Sequence, residues 1–523
     1  MLLLLLLAAI PPAFGLPLAG RPDSRPVYMS RAGHARTRLR CTAADGVTAQ
    51  RLPPTSPNIS AIRRFALPCL GLWLSQPLLS LIDTSTVGLS ALPGRSASQL
   101  AALGPATTFC DGTTYLFAFL NVATTNLYAA QQGSRDDGKP TPEAERVVQI
   151  ASRLALGCGL FTMAVQIAAA VPLLSLYVGA ETAANPAILG PAVAYVRIRA
   201  LSNPATMLSG VLSAALLGGR DSMTPLLATA VAAAANVAGD LLCVVLLRLG
   251  LSGAAAATTV AQWAGTLALV LVARQKLVPT SGLGLLPGCG RGSGVRTGSQ
   301  VSSRGFLGFA APVLTLILGK ITCFGFMTFS AARMGEVPLA CHQLTLTTFF
   351  FLSPFLEVLS QTAQTFLPEY AKPPEGADPA AWRSTSDALA ARLLQLAMVV
   401  AAFAAAAGAA LSLFGTGLLT TDAAVAAGMR TLALPLSVAV LLTGAVTASE
   451  GTLLARRKLG ALSAVYVASV ALLPFMLTSA ASASTIWTTF ASFQAIRAVA
   501  FTGRVWAPRL MRRPPEGRAE PNE

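Results

Sequence analysis

The chain has 523 residues, of which 54% are hydrophobic and 11% are charged, and its mean hydropathy is +0.61. Soluble domains carry about 25% charged residues, so this composition excludes an ordinary soluble protein and predicts an all-α protein that crosses a membrane many times. The net charge of +16 falls in short segments between apolar runs, where topology and lipid headgroups account for it. We therefore expect the lipid bilayer as a partner and no nucleic acid.

Residues 1–60 are predicted to be a targeting segment. The apolar run from Met1 to Ile10 is too short to span a bilayer, and residues 11–50 contain six Arg but only two acidic residues. This composition is typical of a transit peptide that follows a signal-like core. We expect delivery to a plastid envelope, with a plain organelle transit peptide or a secretory route as the alternatives.

Twelve apolar runs, each long enough for a membrane helix, follow the targeting segment. They are interrupted by residues 275–304, a Gly-, Ser- and Arg-rich stretch that reads as a flexible loop. The predicted domains are the targeting segment 1–60, an N-terminal lobe 61–274, the loop 275–304, a C-terminal lobe 305–505 and a basic tail 506–523. The twelve helices are predicted near 62–90, 98–130, 147–178, 188–217, 223–248, 252–274, 305–332, 338–368, 386–414, 424–446, 451–480 and 483–505.

The two predicted lobes look alike. Phe65-Ala-Leu-Pro68 begins the first helix as Phe309-Ala-Ala-Pro312 begins the seventh, and Asn121–Asn126 falls where Ser360–Thr365 falls in the second lobe. Matches at a nearly constant offset indicate a duplicated six-helix unit. Two such units of the same orientation are expected to meet around a central cavity.

One apolar run contains a carboxylate that bulk water does not reach. Asn236 and Asp240 are four residues apart in the fifth predicted helix, so they share one face of it. Ionisable residues at bilayer depth are costly and mark functional sites. Asp83 in the first predicted helix is the expected partner. These residues are predicted to form the cation or proton coupling site of a secondary transporter.

Other polar residues in the apolar runs are candidates for a substrate cavity. Asp111 belongs to a polar stripe that either lines this cavity or makes interhelical hydrogen bonds. Lys320 either attracts an anionic substrate or pairs with Glu357, and Glu450 is interpreted as a cap of the basic turn 456–458. Arg197 and Arg199 are interpreted as structural. The candidate cavity residues are Asp111, Asn126, Lys320, Glu357 and Gln361.

No motif indicates an enzyme. The chain has two histidines and neither an HExxH nor a CxxC motif, so a catalytic set and a metal site are not expected. A membrane-embedded protease or acyltransferase would need converging nucleophile and base residues. No sequence feature indicates an oligomeric state.

The chain resembles the MATE (multidrug and toxic compound extrusion) transporters over roughly residues 61–505. The motifs are Pro77-x5-Asp83-Thr-x-x-Val-Gly88, Leu100-Ala-Ala-Leu-Gly104, Asn236-x3-Asp240 and Leu339-Ala-Cys-His-Gln343. The stretch 359–369, together with Glu450-Gly-Thr-Leu-Leu454, is similar to the plant plastid branch called DETOXIFICATION.

This resemblance implies a twelve-helix, two-lobe, V-shaped exporter that uses a proton or sodium gradient and no cofactor. It implies a coupling site at Asp83, Asn236 and Asp240, with Thr258 and Tyr195 at the positions of two further site residues. The chain departs from many members in the C-terminal lobe, where Lys320 and Thr443 stand near the places of two acids. Coupling is therefore expected in the N-terminal lobe.

The expected function is antiport that exports a small organic compound, an aromatic or phenolic organic acid if the plastid branch is correct, in exchange for protons or sodium. The substrate class rests on analogy with the family. A flippase of a lipid-linked substrate is the alternative within transport. A non-transporting membrane receptor or scaffold is the alternative from another class, since it would keep the fold without needing Asp83 and Asp240.

Overall fold

A computed structural model describes residues 57–90, 96–132, 139–178, 186–280, 302–370, 378–420, 422–478, 480 and 482–510. The regular secondary structure of these residues is helical, which confirms the predicted all-α class. The predicted targeting segment lies outside the described residues up to position 56, as do residues 281–301 of the predicted loop and residues 511–523 of the predicted tail.

The helices follow one another in the predicted order. In the N-terminal half they are α1 (Ile59–Ser90), α2 (Ser96–Tyr115), α3 (Ala118–Gln132), α4 (Pro142–Ala168), α5 (Ala170–Val178), α6 (Pro186–Ala200), α7 (Asn203–Gly218), α8 (Met223–Asp240) and α9 (Gly250–Lys276). In the C-terminal half they are α10 (Ser303–Ala332), α11 (Glu336–Phe366), α12 (Pro379–Phe414), α13 (Ala423–Ala455), α14 (Leu459–Thr478) and α15 (Ala483–Leu510).

Three predicted runs are each divided into two helices, as α2 and α3, α4 and α5, and α6 and α7. The axis bends by 50° between α6 and α7, where Pro204 occupies the first turn of α7. Proline lacks a backbone N–H and cannot continue the hydrogen-bond ladder of the preceding helix. In the described residues, eight helices are long and apolar enough to cross a membrane, and α6 with α7 makes a ninth if the bent pair crosses as one span.

The end of α13 differs from the prediction. That helix was predicted to stop at 446, yet it continues to Ala455, so Glu450 lies within the helix and not at a turn. The extension is polar, but Thr447, Ser449 and Thr452 are buried by neighbouring helices, and this packing maintains a helix that local hydropathy did not predict. Likewise, α15 reaches Leu510, five residues beyond the predicted lobe boundary at 505.

Helices pack mainly within their own half of the chain. In the C-terminal half, α13 contacts α11, α12 and α15, while α10 packs against α14. In the N-terminal half, α8 packs against α9, α7 against α3 and α4, and α2 against α6. This arrangement supports the division into lobes 61–274 and 305–505, which we retain as a proposal.

The two halves touch through α1, α3 and α7 on one side and α10 and α11 on the other. Beyond the end of α7, Arg220 forms an ion pair with Glu369, and its guanidinium lies 4.8 Å from the centre of the Phe366 ring. The Thr365 hydroxyl donates to the carbonyl oxygen of Leu217 at 3.1 Å. The halves are therefore held together at the end of the bundle where α7 and α11 terminate.

Asp221 stabilises the start of α8. Its carboxylate accepts hydrogen bonds from the Thr224 backbone N–H (3.0 Å) and hydroxyl (2.7 Å), and from Lys276 Nζ (2.7 Å). Burial alone would raise the pKa of Asp221, but these hydrogen bonds and the charge of Lys276 outweigh it and hold the pKa below its usual value. A carboxyl with a depressed pKa contributes stability above its unfolded-state pKa and loses it as the pH falls.

We therefore expect Asp221→Asn to lower the free energy of unfolding at neutral pH by about 0.5–1 kcal/mol. The difference from wild type should vanish in acid, below the depressed pKa of Asp221, because the wild-type carboxylate is then protonated. Unfolding in mixed detergent micelles at several pH values measures both effects. A difference that persists unchanged in acid would contradict the electrostatic explanation.

Candidate functional site

Two carboxylates and one amide converge between α1 and α8. The Asn236 amide nitrogen donates to the Asp83 carboxylate at 2.5 Å and lies 3.4 Å from the Asp240 carboxylate. Asp83 and Asp240 are within hydrogen-bonding reach of each other. Asn236 and Asp240 are 2% and 1% exposed. The structure thus brings together the three residues that the sequence singled out, across 153 positions of the chain.

Two oxygen atoms of this cluster have unused hydrogen-bonding capacity. Asn236 Oδ1 and Asp240 Oδ1 are buried and have no hydrogen-bond partner among the described residues. Buried polar atoms are normally paired, and an unpaired one usually has a functional explanation. A proton or a small cation would supply the missing partner.

The backbone changes its helical type directly after Asp240. Residues Leu241–Leu246 form a π-helical turn, and only after it does the chain turn into α9. π-helical insertions in α-helices are rare and often mark functional sites. The segment reads as Leu-Leu-Cys-Val-Val-Leu, a plain apolar run, so the sequence carried no signal for this turn.

Thr258 and Tyr195, both predicted from the family resemblance, lie beside the cluster. The Thr258 hydroxyl donates to the Ala254 carbonyl at 2.9 Å and is within hydrogen-bonding reach of Asp83. The adjacent Thr259 instead donates to the Ile198 carbonyl on α6 at 3.1 Å. Tyr195 is 2% exposed and lies within electrostatic range of Asp83.

Asp111 lies on an exposed face of α2. Its side chain is 69% exposed and pairs with Arg199 Nη2 on α6 at 3.3 Å. A carboxylate that is 69% exposed would be very costly in hydrocarbon even beside an arginine, so this face is expected to line an aqueous cleft. The exposed residues of α2 recur at helical spacing and are small or polar, except for one aromatic residue: Gly104, Thr108, Asp111, Gly112 and Tyr115.

A second charged cluster lies in the C-terminal half. Lys320 Nζ is 2.9 Å from Glu450 Oε1 and 3.7 Å from Glu357 Oε1, and the Tyr466 hydroxyl donates to Glu450 at 2.6 Å. Lys320 therefore makes an ion pair, as one of the two interpretations had it, but its nearer partner is Glu450. The interpretation of Glu450 as a cap of the turn 456–458 is wrong, because this carboxylate is bound inside the bundle.

Asn126 and Gln361 do not lie at an open cavity. Both are buried where α3 meets α11, with the Asn126 amide donating to Gln364 at 2.8 Å and the Gln361 amide to Thr125 at 3.4 Å. These residues join the two halves of the chain. The prediction missed this because the contact spans more than 200 positions of sequence.

Two residues of these clusters were not recognised from the sequence. Arg199 was interpreted as structural, although an arginine inside an apolar run requires a counter-ion and Asp111 was available. Tyr466 carried no signal, because an aromatic residue in a membrane helix is ordinary and its bond to Glu450 depends on the packing of α13 against α14.

A many-spanning helical bundle with buried carboxylates and an exposed polar helix face is the architecture of a membrane transporter. The MatE family model matches residues 68–242. The chain is 31% identical over 425 residues to Protein DETOXIFICATION 47, chloroplastic, from Arabidopsis thaliana, which covers 79% of this chain and 70% of that protein. The chain belongs to the MATE family of membrane transporters.

Other relatives and solved structures agree with this assignment. DNA damage-inducible protein F of Escherichia coli is 28% identical over 300 residues, covering 57% of this chain and 60% of that protein. An outward-facing multidrug resistance MATE family transporter of the MOP superfamily has the same fold, with a TM-score of 0.68, 18% identity and coverage of 87% of this chain and 96% of that one. A MOP superfamily transporter from Pyrococcus furiosus gives a TM-score of 0.69 at 19% identity, with the same coverage.

The assignment confirms several predictions made from the sequence. The chain is a multi-pass membrane transporter and not an enzyme, and its family uses ion gradients and needs no cofactor. The plastid location predicted from residues 1–60 agrees with the relatives in Arabidopsis thaliana that are described as chloroplastic.

Proposed function

We propose that this transporter is an antiporter that exports a small organic compound in exchange for protons. The carrying observation is that the Asn236 amide nitrogen donates to the Asp83 carboxylate at 2.5 Å and lies 3.4 Å from the Asp240 carboxylate, so that it bridges the two acids. Two carboxylates in contact at a buried site hold two negative charges only at high energetic cost, and one proton shared between them removes that cost. Sodium is the alternative coupling ion.

Loading of this site would act on α1. Asp83 belongs to α1, whereas Asn236 and Asp240 belong to α8, so a bound proton changes the hydrogen bonds between these helices. Elsewhere α1 packs against α11 of the C-terminal half. A ligand that binds one arrangement of α1 better than another shifts the protein toward that arrangement. Proton uptake would thereby release the substrate.

The proposed substrate site is the cleft between the two charged clusters. Asp111 and Tyr115 lie on the exposed face of α2, and Tyr115 is within electrostatic range of Lys320 and Glu357. An aromatic or phenolic organic acid fits this site if its carboxylate replaces Glu357, the looser partner of Lys320 at 3.7 Å. The aromatic ring of Tyr115 would contact the ring of the substrate.

No observation favours the flippase alternative. A site for a lipid-linked substrate with phosphate groups would be basic. The described charged residues that we place at or beside the cleft are Asp111, Arg199, Lys320 and Glu357, two acids and two bases, so the site carries no excess of positive charge. The receptor or scaffold alternative gives no reason for two carboxylates to be kept in contact.

Transport by the purified full chain in proteoliposomes tests the proposal. A pH gradient and then a sodium gradient would be imposed, with radiolabelled benzoate and fluorescent ethidium as an anionic and a cationic aromatic probe. We expect uphill movement of a probe that follows the pH gradient. Flux that follows only the sodium gradient would replace the proposed ion, and flux that ignores both gradients would end the antiport proposal.

Lys320→Gln tests the substrate class. If the substrate carboxylate binds Lys320, the substitution should reduce benzoate transport roughly ten- to a hundredfold relative to ethidium transport, since one charge-assisted hydrogen bond contributes about 1.5–3 kcal/mol. The ratio of the two rates is the measurement, because it does not depend on how much of the variant is folded. An unchanged ratio would show that Lys320 serves only its ion pairs.

A further inference from the structure

Arg199 is held in an unusual way next to the coupling site. It lies in the last turn of α6, and its side chain is 14% exposed. One guanidinium nitrogen pairs with Asp111 at 3.3 Å, but Nε and Nη1 are buried and have no hydrogen-bond partner among the described residues. Unpaired buried donors are costly. A purely structural arginine would normally have these donors satisfied.

Arg199 is a cationic side chain close to acidic residues on neighbouring helices. Asp111 on α2 pairs with it, and Asp83 on α1 lies within electrostatic range of it. The carbonyl of the preceding residue, Ile198, accepts a hydrogen bond from Thr259 at 3.1 Å, next to Thr258 of the coupling site. Asp83 in turn contacts Asp240 on α8. The other polar or titratable groups that face Arg199 or Asp83 are Tyr195 on α6, Cys110 on α2, Asn236 on α8 and Thr258 on α9.

The two carboxylates that act on Arg199 differ in their surroundings. Asp111 has 69% of its side chain exposed, whereas Asp83 is joined through Asn236 to Asp240, which is 1% exposed. Arg199 therefore stands at the boundary between the cleft and the buried pair. Its two unpaired donors leave it able to bind a second carboxylate without losing Asp111.

We infer that Arg199 and Asp111 are positioning residues that set how tightly the coupling site holds its cation. When the site is empty, the guanidinium offsets the negative charge of Asp83. When a proton neutralises Asp83, the attraction of Arg199 shifts wholly to Asp111. A substrate that binds beside Asp111 would alter this balance, which links the cleft to the buried pair. The inference rests on the proposed function and names two further residues of its site.

Arg199 and Asp111 have opposite effects on the proton affinity of the Asp83–Asp240 pair, and this difference is the basis of the test. Without the guanidinium, the Asp83–Asp240 pair should hold its proton more tightly, so Arg199→Gln should move the midpoint of protonation about one pH unit upward. Asp111→Asn leaves Arg199 free to act on Asp83 alone, and the midpoint should move downward. Arg199→Lys keeps the charge and should stay near wild type.

The midpoint can be read from the purified full-length protein without a substrate. Infrared titration follows the C=O band of protonated carboxyl groups, and the component lost in Asp240→Asn belongs to the buried pair. Arg197→Gln is the matched control, because Arg197 is exposed on the same helix, and its midpoint should not move. Folding of each variant is checked by size-exclusion chromatography, and the midpoint is independent of the folded amount.

Opposite shifts in Arg199→Gln and Asp111→Asn, with wild-type behaviour in Arg199→Lys, are the expected result. If wild type shows a midpoint but neither variant moves it, or both variants move it in the same direction, then Arg199 and Asp111 form only a structural ion pair. That result overturns this inference alone. If wild type shows no titrating component that Asp240→Asn removes, the coupling proposal itself fails, and the inference fails with it.

Discussion

Asp240→Asn is expected to abolish transport driven by a pH gradient, down to the level of empty liposomes. Asp240 is 1% exposed and is joined to Asp83 through the Asn236 amide, and an amide in its place can make hydrogen bonds but cannot take up a proton in exchange. The size of the side chain is unchanged, so the packing of α8 against α1 and α9 should persist. The measurement is uphill flux in proteoliposomes.

The folded state of this variant should be intact, because the substitution removes a charge that was costly to bury. Its unfolding free energy is expected to stay within about 1 kcal/mol of wild type. Asp422→Asn is the matched control: Asp422 caps the exposed start of α13 by accepting from the Ala424 and Val425 backbone N–H groups, and Asn caps a helix about equally well. Normal uphill flux in Asp240→Asn would refute coupling in the N-terminal half.

Glu450→Gln is expected to destabilise the C-terminal half by about 2–3 kcal/mol. The variant leaves Lys320 with Glu357 alone, at 3.7 Å in place of the 2.9 Å contact. Removal of one partner from a buried ion pair is costly because the other charge remains without its counter-ion. We place the cost below the value of about 3–5 kcal/mol that is usual for a broken buried ion pair, because Glu357 partly compensates the charge of Lys320. Unfolding in mixed micelles measures it.

Two matched variants separate this cause from a general loss of packing. Glu357→Gln should cost less, because Glu357 is 30% exposed and makes the longer contact. The triple substitution Lys320→Met/Glu357→Gln/Glu450→Met should recover most of the stability lost in Glu450→Gln, since no charge of the Lys320 cluster is then left without a counter-ion. A triple variant that is less stable than Glu450→Gln would show that the ion pairs themselves stabilise the fold.

The sequence was sufficient to predict the all-α membrane architecture and the cluster of Asp83, Asn236 and Asp240 in the candidate site. Long apolar runs in a bilayer can only be helices, because every backbone group must be paired within its own segment. Asn236 and Asp240 were predicted to lie on one face because the helical repeat places residues four apart together. Asp83 was added because a carboxylate at that depth requires a partner.

Only the tertiary structure decided which distant residues meet. Arg199 meets Asp111 across 88 positions and Lys320 meets Glu450 across 130, and no local pattern encodes either pair. Tertiary packing also explains why α13 ends at 455 and not at the predicted 446, since neighbouring helices bury its polar last turns. Local hydropathy and helical periodicity act over a few turns and determine the helices of this protein, whereas the pairing of its buried charges depends on how those helices pack.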